Sequence, residues 1–464
     1  MAVSDAPHVR VRIAPSPTGF AHLGTASTTL YNVLFARANS GSFALRIDDT
    51  DVERNREEYE RLIYEALHWL GFEWDEGPDK GGPYGPYRQS ERLDQYRAAA
   101  AKLIAESKAY RCYCTPEELD AERKQAQTEH RPYVYSRRCL TNPPTDRTAF
   151  TVRFHVPGGE VKFTDMVRGE MTFDSDLFGD FIIVKSDGYP TYNFASPVDD
   201  AAMHITHVIR GEEHLPNTPY QLLVIDALGY ERPQSFAHMP LILAPDGGKL
   251  SKRKHPEANL MLYREQGYLP EAMVNYLALL GWNPGTEREI FTLDELIAEF
   301  SFDRVQHGGA RFDRKKLDWI NGEYIRSLDD DDLTARLKTF LPELDEATIK
   351  RAAPALKTRL RTLGEAKALL EYLWNDPPAP ELSPEDRQRI KAAAVALSLV
   401  QEWEPAPIHD VLMQVVESSG LGPNATFMPI RLAVTGKKIS PPIDYTLALL
   451  PKDAAMARVA RAIQ

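Results

Sequence analysis

The chain has 464 residues, of which 55 are lysine or arginine and 67 are aspartate or glutamate, giving a formal net charge of -12. Its apolar fraction of 43% excludes a disordered chain, and the length predicts about three domains at roughly 150 residues each. No run approaches the roughly 18 consecutive apolar residues of a membrane helix, and three cysteines do not make a disulfide framework. Because Met1–Arg10 also lacks the apolar core of a secretory signal, we expect a cytoplasmic protein without membrane association. Taken alone, the acidic balance argues against a nucleic-acid partner.

Strands and helices alternate in the N-terminal part of the sequence. Val9–Ile13 and Phe43–Ile47 show the pattern of short strands, while Thr25–Asn39 and Glu57–Leu70 have apolar residues at helical spacing. The loop Ala14–Gly24 separates the first strand from the first helix. This order predicts an α/β fold in which crossover helices connect the strands of a parallel sheet.

An insertion interrupts this pattern after a long amphipathic helix at Ser90–Lys108. The segment Arg111–Lys185 contains all three cysteines and several short β-rich runs, at Ala149–Val156, Glu170–Phe173 and Asp180–Lys185. The alternation then resumes, with a predicted strand at His207–Ile209 and predicted helices at Gln221–Leu228, Asn259–Trp282 and Leu293–Phe300.

Helical patterns dominate from about Ser327 to the C-terminus. The proline-rich segment Asp376–Pro380 indicates a stiff linker, at which we place a subdomain boundary. Directly after it, Ser383–Asp386 combines a capping serine, a proline at the first helical position and acids in the first turn, which predicts a helix start.

Two loops have the composition of phosphate-binding segments. Pro15–Gly24 lies between a predicted strand and a predicted helix, where unpaired N–H groups attract anions, and His22 can donate a hydrogen bond to a phosphate oxygen. Lys249–Lys254 holds four cations in six residues. Read alone, the first loop is more often a tight turn and the second a solvated charge run. The second also lacks the spacing of a P-loop.

Together with five further segments, these loops resemble the glutamyl-tRNA synthetase family of class I aminoacyl-tRNA synthetases. PSPTGFAHLG (Pro15–Gly24) and KLSKR (Lys249–Arg253) are similar to the HIGH and KMSKS motifs of class I enzymes. The other segments follow the family's order and are Arg46–Asp51, Gly81–Arg92, Ser186–Ala195, Val208–His214 and Leu317–Arg326. The match runs from about residue 9 to residue 326 and extends more loosely to the C-terminus.

The resemblance implies a Rossmann-type parallel sheet with an inserted α+β acceptor-binding domain, followed by an all-helical C-terminal anticodon-binding region. The two halves of the catalytic domain would be 1–109 and 188–255, with the insertion at 110–187. A helical domain that contacts the tRNA stem would cover 256–326, and two anticodon-binding subdomains would cover 327–380 and 381–464.

The implied activity is that of a glutamate–tRNA ligase acting in two steps. The α-carboxylate of L-glutamate attacks the α-phosphate of ATP and pyrophosphate leaves; a ribose hydroxyl at the 3' end of tRNA(Glu) then attacks the adenylate. Because a carboxylate is already a nucleophile, the first step needs no enzymatic base and depends on positioning and on stabilisation of phosphate charge. The family also implies a monomer that uses ATP with Mg²⁺ and that needs tRNA for the first step.

The resemblance further assigns roles to single residues. The catalytic residues would be His22, Lys249 and Lys252. ATP would be bound by Ser16, Gly24, Glu213, Ile242, Ser251, Lys252 and Arg253, and glutamate by Arg12, Ser16, Asp48, Tyr192, Ser196 and Arg210. The sequence departs from the family pattern in three places: Asp48 replaces the usual Glu, Thr25 replaces the second HIGH histidine, and Ser196-Pro197 differs from the commoner pattern beside the glutamate pocket. Without the family, Arg12, Asp48 and Arg210 would be interpreted as members of strand-end ion pairs.

The three cysteines form a candidate zinc site. Cys112 and Cys114 make a C-x-C pair, and Cys139 follows after 24 intervening residues. Thiolates bind Zn²⁺, but a structural site needs four ligands. Some members of the family have a C-x-C and Y-x-x-x-C zinc site, which would make Tyr135 the fourth ligand. Three incidental thiols without a metal are the alternative.

A tRNA partner requires local cations rather than a positive total charge. Such cations cluster at 311–316, 351–361 and 431–438, although each cluster alone is more often a solvated helix face. Arg359 matches the family position associated with the third anticodon base, where arginine is typical of enzymes that reject tRNA(Gln). An enzyme that also charges tRNA(Gln) is the nearest alternative.

Three other functions compete with this interpretation. A small-molecule nucleotidyltransferase with a HIGH-like loop, and a truncated relative that modifies a tRNA base, would not need the helical part after Ser327. A non-catalytic tRNA-binding protein would not need His22, Lys249 and Lys252. The sequence therefore favours the ligase.

Overall fold

Residues 8–51, 53–250 and 254–464 are described in the computed structural model of this protein. The chain divides into two units, the first comprising Met1–Met261 and Val274–Asp313 and the second comprising Leu262–Met273 and Arg314–Gln464. The strands of the described chain lie in the first unit and are β1 (Arg10–Ile13), β2 (Ser42–Leu45), β3 (Ala109–Cys112), β4 (Thr151–Phe154), β5 (Glu160–Asp165), β6 (Gly169–Asp174), β7 (Ile182–Val184), β8 (His207–Gly211), β9 (Ser235–Met239), β10 (Ile242–Leu243) and β11 (Ala310–Arg311).

Helices connect these strands in the first unit. They are α1 (Leu23–Ala38), α2 (Glu57–Trp69), α3 (Leu93–Ala105), α4 (Pro116–Thr128), α5 (Arg138–Thr141), α6 (Tyr192–Ala202), α7 (Thr218–Leu228) and α10 (Leu293–Glu299), with α8 (Leu260–Glu265) and α9 (Pro270–Gly281) contributing residues to both units.

The parallel sheet predicted from the alternation of strands and helices is confirmed. β1 pairs in parallel with β2, and β8 pairs in parallel with β9. The backbone N–H of Thr206, next to β8, donates to the carbonyl of Arg10 at 3.0 Å and joins the two pairs. Every residue of β1 is buried, as expected when helices cover both faces of a parallel sheet. α1 packs on β1 and β8, while side chains of α3, α6 and α7 form a common apolar core with β8.

The insertion is joined to this sheet by a strand that the sequence patterns do not predict. β5 pairs antiparallel with β6 and parallel with β9, so that the strand order is β6-β5-β9-β8. The remaining strands of the insertion form a separate antiparallel sheet in the order β3-β4-β7. Exposed and buried positions alternate along Glu160–Asp165, and the last buried position is taken by the acid Asp165 instead of an apolar residue. The insertion therefore shares a strand pairing with the sheet that carries β8.

Two predicted helices need correction. The single helix Asn259–Trp282 is wrong, because the chain forms α8 and α9 with a break at Gly267. Gly267 has φ +83°, which a helix does not allow, and a Cβ there would meet the backbone nitrogen of Gly364 at 2.5 Å. The helix predicted to begin at Ser90 starts instead with the 3₁₀ turn Gln89–Arg92 and becomes α-helical at Leu93.

The predicted all-helical C-terminal part is confirmed for the described chain after residue 313. Its helices are α11 (Arg314–Ser327), α12 (Asp330–Leu337), α13 (Glu346–Lys357), α14 (Glu365–Leu370), α15 (Pro384–Ser398), α16 (Pro405–Ser419), α17 (Pro423–Thr435), α18 (Ile443–Ala448) and α19 (Lys452–Ile463). The predicted start of α15 is correct, since the Ser383 hydroxyl accepts the N–H of Asp386 at 3.1 Å. Within the described residues, no helix is both long enough and apolar enough to cross a bilayer.

Candidate active site

A cavity of about 1050 Å³ opens beside the C-terminal ends of β1 and β8, the end at which α/β sheets bind ligands. Its lining includes most residues with a predicted role in ATP or glutamate binding, namely Arg12, Ser16, His22, Gly24, Asp48, Tyr192, Arg210, Glu213, Ile242 and Lys249. Ser251, Lys252 and Arg253 lie outside the described residues. Ser196 is buried away from the cavity lining, with its Oγ 3.4 Å from Nη2 of Arg46, so a direct contact with glutamate stays a prediction.

His22 occupies the N-terminus of α1 and caps it, a role that the sequence patterns do not indicate. Its Nδ1 accepts the backbone N–H of Gly24 at 2.9 Å. An accepting Nδ1 leaves the proton of the neutral imidazole on Nε2. The close approach depends on Gly24, because a Cβ there would lie 3.1 Å from Nδ1. The cap therefore orients a hydrogen-bond donor at the positive end of a helix that lines the cavity.

Lys249 lies at the start of the second loop, within reach of an acid. Its Nζ is 3.7 Å from Oε1 of Glu213, and the two side chains are 58% and 40% exposed. The backbone next to it is fixed, since Leu250 donates its N–H to the carbonyl of Ile242 at 3.2 Å. Exposed ion pairs of this kind contribute about 1 kcal/mol or less. An arriving phosphate can therefore replace Glu213 as the partner of Lys249 at little cost.

Arg210 is a buried cation held by neutral groups only. Its Nη1 donates to Tyr192 Oη at 3.1 Å and to Gln221 Oε1 at 2.8 Å, and its Nη2 donates to Thr218 Oγ1 at 2.7 Å. Its Nε donates to Nε2 of His238 at 3.2 Å. Within the described chain, no carboxylate oxygen lies within ion-pair distance of this guanidinium, and its burial lowers its pKa. An anion entering the cavity would supply the missing charge.

Arg12 belongs to a buried ionic network. Its Nε and Nη2 donate to the two carboxylate oxygens of Asp200 at 3.0 and 3.1 Å. Arg46 donates to the same Asp200 at 2.6 Å and to Asp48 at 2.7 Å, and a carboxylate oxygen of Asp199 lies 3.7 Å from its Nε. Each of these residues is at most 5% exposed. The network fixes the guanidinium of Arg12, whose Nη1 makes no hydrogen bond within the described chain.

Asp48 forms an ion pair with Arg46, as expected from the sequence if Asp48 did not bind glutamate. Both of its carboxylate oxygens accept from Arg46, at 2.7 and 3.3 Å. Burial raises the pKa of Asp48 to about 6, despite the opposing attraction of Arg46. Asp48 also lines the cavity, so the same carboxylate can receive a substrate cation.

His214 is a cavity residue to which the sequence analysis gives no role, although it ends the quoted segment Val208–His214. Its ring centroid lies 5.3 Å from that of Tyr192. Burial, together with the charge of Arg210, lowers the pKa of His214 to about 4. The imidazole is therefore neutral at physiological pH beside the phenol that contacts Arg210.

The structure brings the four predicted zinc ligands together. The sulfur atoms of Cys112, Cys114 and Cys139 lie within 4.8 Å of one another, with Cys114 and Cys139 at 3.5 Å. The Tyr135 Oη is 3.4 Å from Cys112 Sγ and 3.3 Å from Cys114 Sγ. In a tetrahedron with Zn–S bonds of about 2.3 Å, ligand sulfurs lie about 3.8 Å apart. The residues present therefore fit a zinc ion in size and in donor chemistry.

Electrostatics around the cysteines prepares one thiol for ionisation. Burial raises the pKa of Cys112, but hydrogen bonds from Tyr135 and Arg153 outweigh it and lower the pKa to about 7. Burial and the neighbouring thiols raise the pKa of Cys114 to about 12. The pKa of Tyr135 is also raised, by burial and by its contacts with the thiols. A cation would reverse the last two shifts, because it favours thiolate and phenolate.

Arg359 is exposed directly after α13 in the second unit. Other cations of the predicted tRNA surface have partners within the chain: Arg351 donates to the carbonyl of Ala448 at 2.6 Å, and Lys437 lies 2.5 Å from Glu371. Burial, together with the charge of Arg359, lowers the pKa of Arg431. Those cations stabilise the helical unit itself, whereas Arg359 presents its charge to solvent.

Comparisons with known proteins match the chain along its length. Residues 8–319 match the family model described as tRNA synthetases class I (E and Q), catalytic domain, and residues 332–463 match the model described as anticodon binding domain. The glutamate–tRNA ligase of Acidothermus cellulolyticus is 45% identical over 98% of this chain and 95% of its own length. That of Moorella thermoacetica is 44% identical over 98% of each.

Solved structures give the same match at the level of the backbone. A glutamate tRNA ligase from Elizabethkingia meningosepticum, crystallised in complex with its amino acid, has a TM-score of 0.87 and 34% sequence identity, covering 98% of this chain and 99% of that chain. The glutamate–tRNA synthetase from Elizabethkingia anophelis has a TM-score of 0.86 at 33% identity.

Proposed function

The chain belongs to the glutamate–tRNA ligase family of class I aminoacyl-tRNA synthetases, and we propose that it activates L-glutamate with ATP and transfers the glutamyl group to the 3'-terminal adenosine of tRNA(Glu). The family, the fold class and the ligase activity predicted from the sequence motifs are confirmed by these matches. The roles of the cavity residues are proposed from the geometry of the site, whereas the need for tRNA in the first step and the rejection of tRNA(Gln) are proposed from the resemblance to the family.

Arg210 carries the proposal for glutamate. A guanidinium removed from water is costly unless an anion joins it, and the described partners of Arg210 are neutral. Arg12 adds a second guanidinium on the same cavity wall, with its Nη1 without a described partner. Arginine binds carboxylates in a planar, paired geometry. Two such groups suit a dicarboxylic amino acid.

The same arrangement rejects the nearest competitors of glutamate. Glutamine would leave a buried cation facing a neutral amide, and losing a hydrogen bond between charged groups costs about 1.5–3 kcal/mol. Aspartate is one methylene shorter and cannot span the same distance between a carboxylate site and the ammonium site. Asp48 is the proposed partner of the substrate ammonium, shared with Arg46. Tyr192 adds a phenol beside Arg210.

ATP would lie against the N-terminus of α1 and the loop that begins at Lys249. The N–H groups of the helix end, with Gly24 and the Nε2–H of His22, would hold phosphate oxygens. Lys249 would leave Glu213 for the pyrophosphate, and Lys252 would act on the same charge. Magnesium, carried by the nucleotide, supplies further neutralisation of the phosphates.

Zinc is proposed at the cysteine cluster, where it would cross-link the end of β3 to α5, which contains Cys139, and to Tyr135 just before it. Cys112, Cys114, Cys139 and Tyr135 would hold it. A structural zinc contributes directly to folding, because the ligands are not preformed in the unfolded chain. Its role would be to stabilise the insertion, far along the chain from the residues that bind ATP.

Discrimination between tRNAs is proposed to depend on Arg359. An arginine that reads a base edge contributes about 1–3 kcal/mol of discrimination in nucleic-acid complexes. Charging of tRNA(Glu) and tRNA(Gln) by Arg359→Gln tests this role, with Lys391→Gln as a control that removes another exposed cation of the second unit. The Arg359 variant should lose preference between the tRNAs; the same preference as in the control would refute the assignment.

ATP–pyrophosphate exchange tests the reaction itself. We expect exchange with glutamate in the presence of tRNA(Glu) and little without it. Exchange with pantoate or another small acid, and none with glutamate, would show a different nucleotidyltransferase. Exchange with glutamate at full rate without tRNA would refute only the proposed tRNA dependence.

Domain boundaries, oligomeric state and location complete the proposal. We place the catalytic halves at 1–109 and 188–255, the insertion at 110–187, the stem-contact domain at 256–326 and the anticodon-binding subdomains at 327–380 and 381–464. A monomer is expected by size-exclusion chromatography with light scattering, and a cytoplasmic location by fractionation of the source cells.

A further inference from the structure

A chain of buried polar groups lies behind Arg210 and ends in the insertion. Asp165 Oδ2 is 2.6 Å from Nδ1 of His238, and Nε2 of His238 is 3.2 Å from Nε of Arg210. Thr218 closes a ring, because its Oγ1 accepts from Arg210 Nη2 at 2.7 Å and lies 3.0 Å from Nε2 of His238. Asp165 is 1% exposed and His238 is 0% exposed. Neither residue lines the cavity.

We propose that Asp165 and His238 are positioning residues that set the orientation of Arg210 and thereby the affinity of the enzyme for glutamate. The inference rests on the proposed role of Arg210 as a carboxylate ligand. Asp165 and His238 would act through Arg210, since neither of them lines the cavity in which glutamate and ATP are proposed to bind.

The contact with Arg210 determines the tautomer of His238. The Arg210 Nε–H can only donate, so Nε2 of His238 must accept, and the ring proton must lie on Nδ1. Asp165 accepts that proton at 2.6 Å. A protonated His238 would place two donors against each other. Burial opposes that form, since it lowers the pKa of His238.

Asp165 is itself held in one orientation. Its Oδ1 accepts the backbone N–H groups of Val167 and Arg168, both at 3.0 Å, and its Oδ2 also accepts the backbone N–H of His238 at 3.2 Å. An asparagine in place of Asp165 could not accept all of these hydrogen bonds, because it has one side-chain oxygen and its other terminal atom is an NH₂ donor. Rotation of its amide would offer N–H to His238 and reverse the tautomer.

The consequence for Arg210 follows from counting its five N–H groups. Four of them donate to His238, Tyr192, Gln221 and Thr218, and one Nη2 hydrogen has no acceptor within the described chain. Fixing Nε against His238 determines where that remaining donor points. Loss of the contact would let the guanidinium rotate about its long, flexible stem.

Asp165, which holds His238 against Arg210, belongs to the insertion. Asp165 ends β5, pairs with Phe236 of β9, and so comes from the insertion rather than from the strands that carry Arg210. The same turn contributes Arg168, which forms an ion pair with Glu212, two residues after Arg210. The insertion thus supports the amino-acid site at two points.

Steady-state aminoacylation by the full-length protein tests the proposal, with glutamate and ATP varied separately. Asp165→Asn and His238→Leu should raise KM for glutamate about ten-fold or more, and should change KM for ATP less than about two-fold. His238→Gln, which retains an acceptor near the place of Nε2, should recover part of the affinity. His207→Gln on the same strand as Arg210 is the matched control and should leave both constants unchanged, since His207 does not line the cavity and its described side-chain hydrogen bond joins it to Thr206 rather than to Arg210.

The possible results distinguish a failure of the proposed ligase function from a failure of the positioning role. A wild-type protein that does not charge tRNA with glutamate would end the proposed function and the inference together. An active wild type, with folded variants whose glutamate KM is unchanged, would overturn the inference alone. Parallel increases in both KM values, or no recovery in His238→Gln, would show general damage instead of positioning and would also overturn it.

Discussion

Protonation of Asp48 gives the site a predictable dependence on pH. Burial raises the pKa of Asp48 to about 6, and only its ionised form can pair with the ammonium group of glutamate. The raised pKa means that the carboxylate is lost as pH falls through about 6, and is fully present above about 7. The side-chain carboxylate of glutamate, with a pKa of about 4.3, is still mostly ionised at pH 5.

The size of the effect follows from this pKa. With a pKa of about 6, the ionised fraction is about nine-tenths at pH 7 and about one-tenth at pH 5. The value of kcat/KM reports groups of the free enzyme. We therefore expect kcat/KM for glutamate to fall about ten-fold between pH 7 and pH 5, with KM for ATP changing much less.

Initial rates of aminoacylation, measured at saturating ATP and tRNA and at low glutamate, provide the assay. Asp48→Asn is the matched variant, because it keeps the shape of the side chain and removes the titrating group. It should be less active at pH 7 and should lack the decline between pH 7 and pH 5. A wild-type profile that stays flat over this interval, or an unchanged decline in Asp48→Asn, would refute the role given to Asp48.

Four other changes test separate parts of the structure. Arg210→Lys, which keeps the charge but loses the planar set of donors, should lower kcat/KM for glutamate at least about ten-fold; an effect equal for ATP would contradict the carboxylate role. Cys139→Ser should reduce the zinc content measured by mass spectrometry and lower Tm, and equal metal content would exclude Cys139 as a ligand. Thr115→Ala removes a complete capping box with Glu118 and should cost about 1 kcal/mol in urea unfolding of the insertion. Gly267→Ala should destabilise the second unit by at least about 1 kcal/mol, because φ is +83° and a Cβ would meet backbone; unchanged stability would contradict that geometry.

Local sequence patterns correctly predicted the features that are formed by residues close together in the chain, such as helix caps and the loop between the first strand and the first helix. The capping sequence at Ser383 forms the expected hydrogen bond with the N–H of Asp386. The loop Pro15–Gly24 does lie between a strand and a helix. These features are visible in a single sequence because their partners are within a few positions.

Partners distant in the chain were not predictable in this way. Arg12 pairs with Asp200 across 188 residues, and Arg46 pairs with the same aspartate across 154. The acids of Val198-Asp199-Asp200 carry no local sign of burial, since helical periodicity does not distinguish a buried acid from an exposed one. His238 and Asp165 were missed for the same reason. The motifs identified residues that line the cavity. The acids that hold the arginines of the cavity in place are distant in the chain and are found only in the folded structure.

The pairing of β5 with β9 limits how this protein can be recombined with its relatives. A graft that exchanged 110–187 as a cassette would import Asp165 and Arg168 from the donor while keeping His238 and Glu212 from the recipient. Each hybrid would then combine one half of the buried Asp165–His238 contact and one half of the partly exposed Arg168–Glu212 ion pair from different parents. Chimeras intended to change tRNA recognition should therefore exchange Asp165 and Arg168 together with His238 and Glu212, or retain all four from one parent.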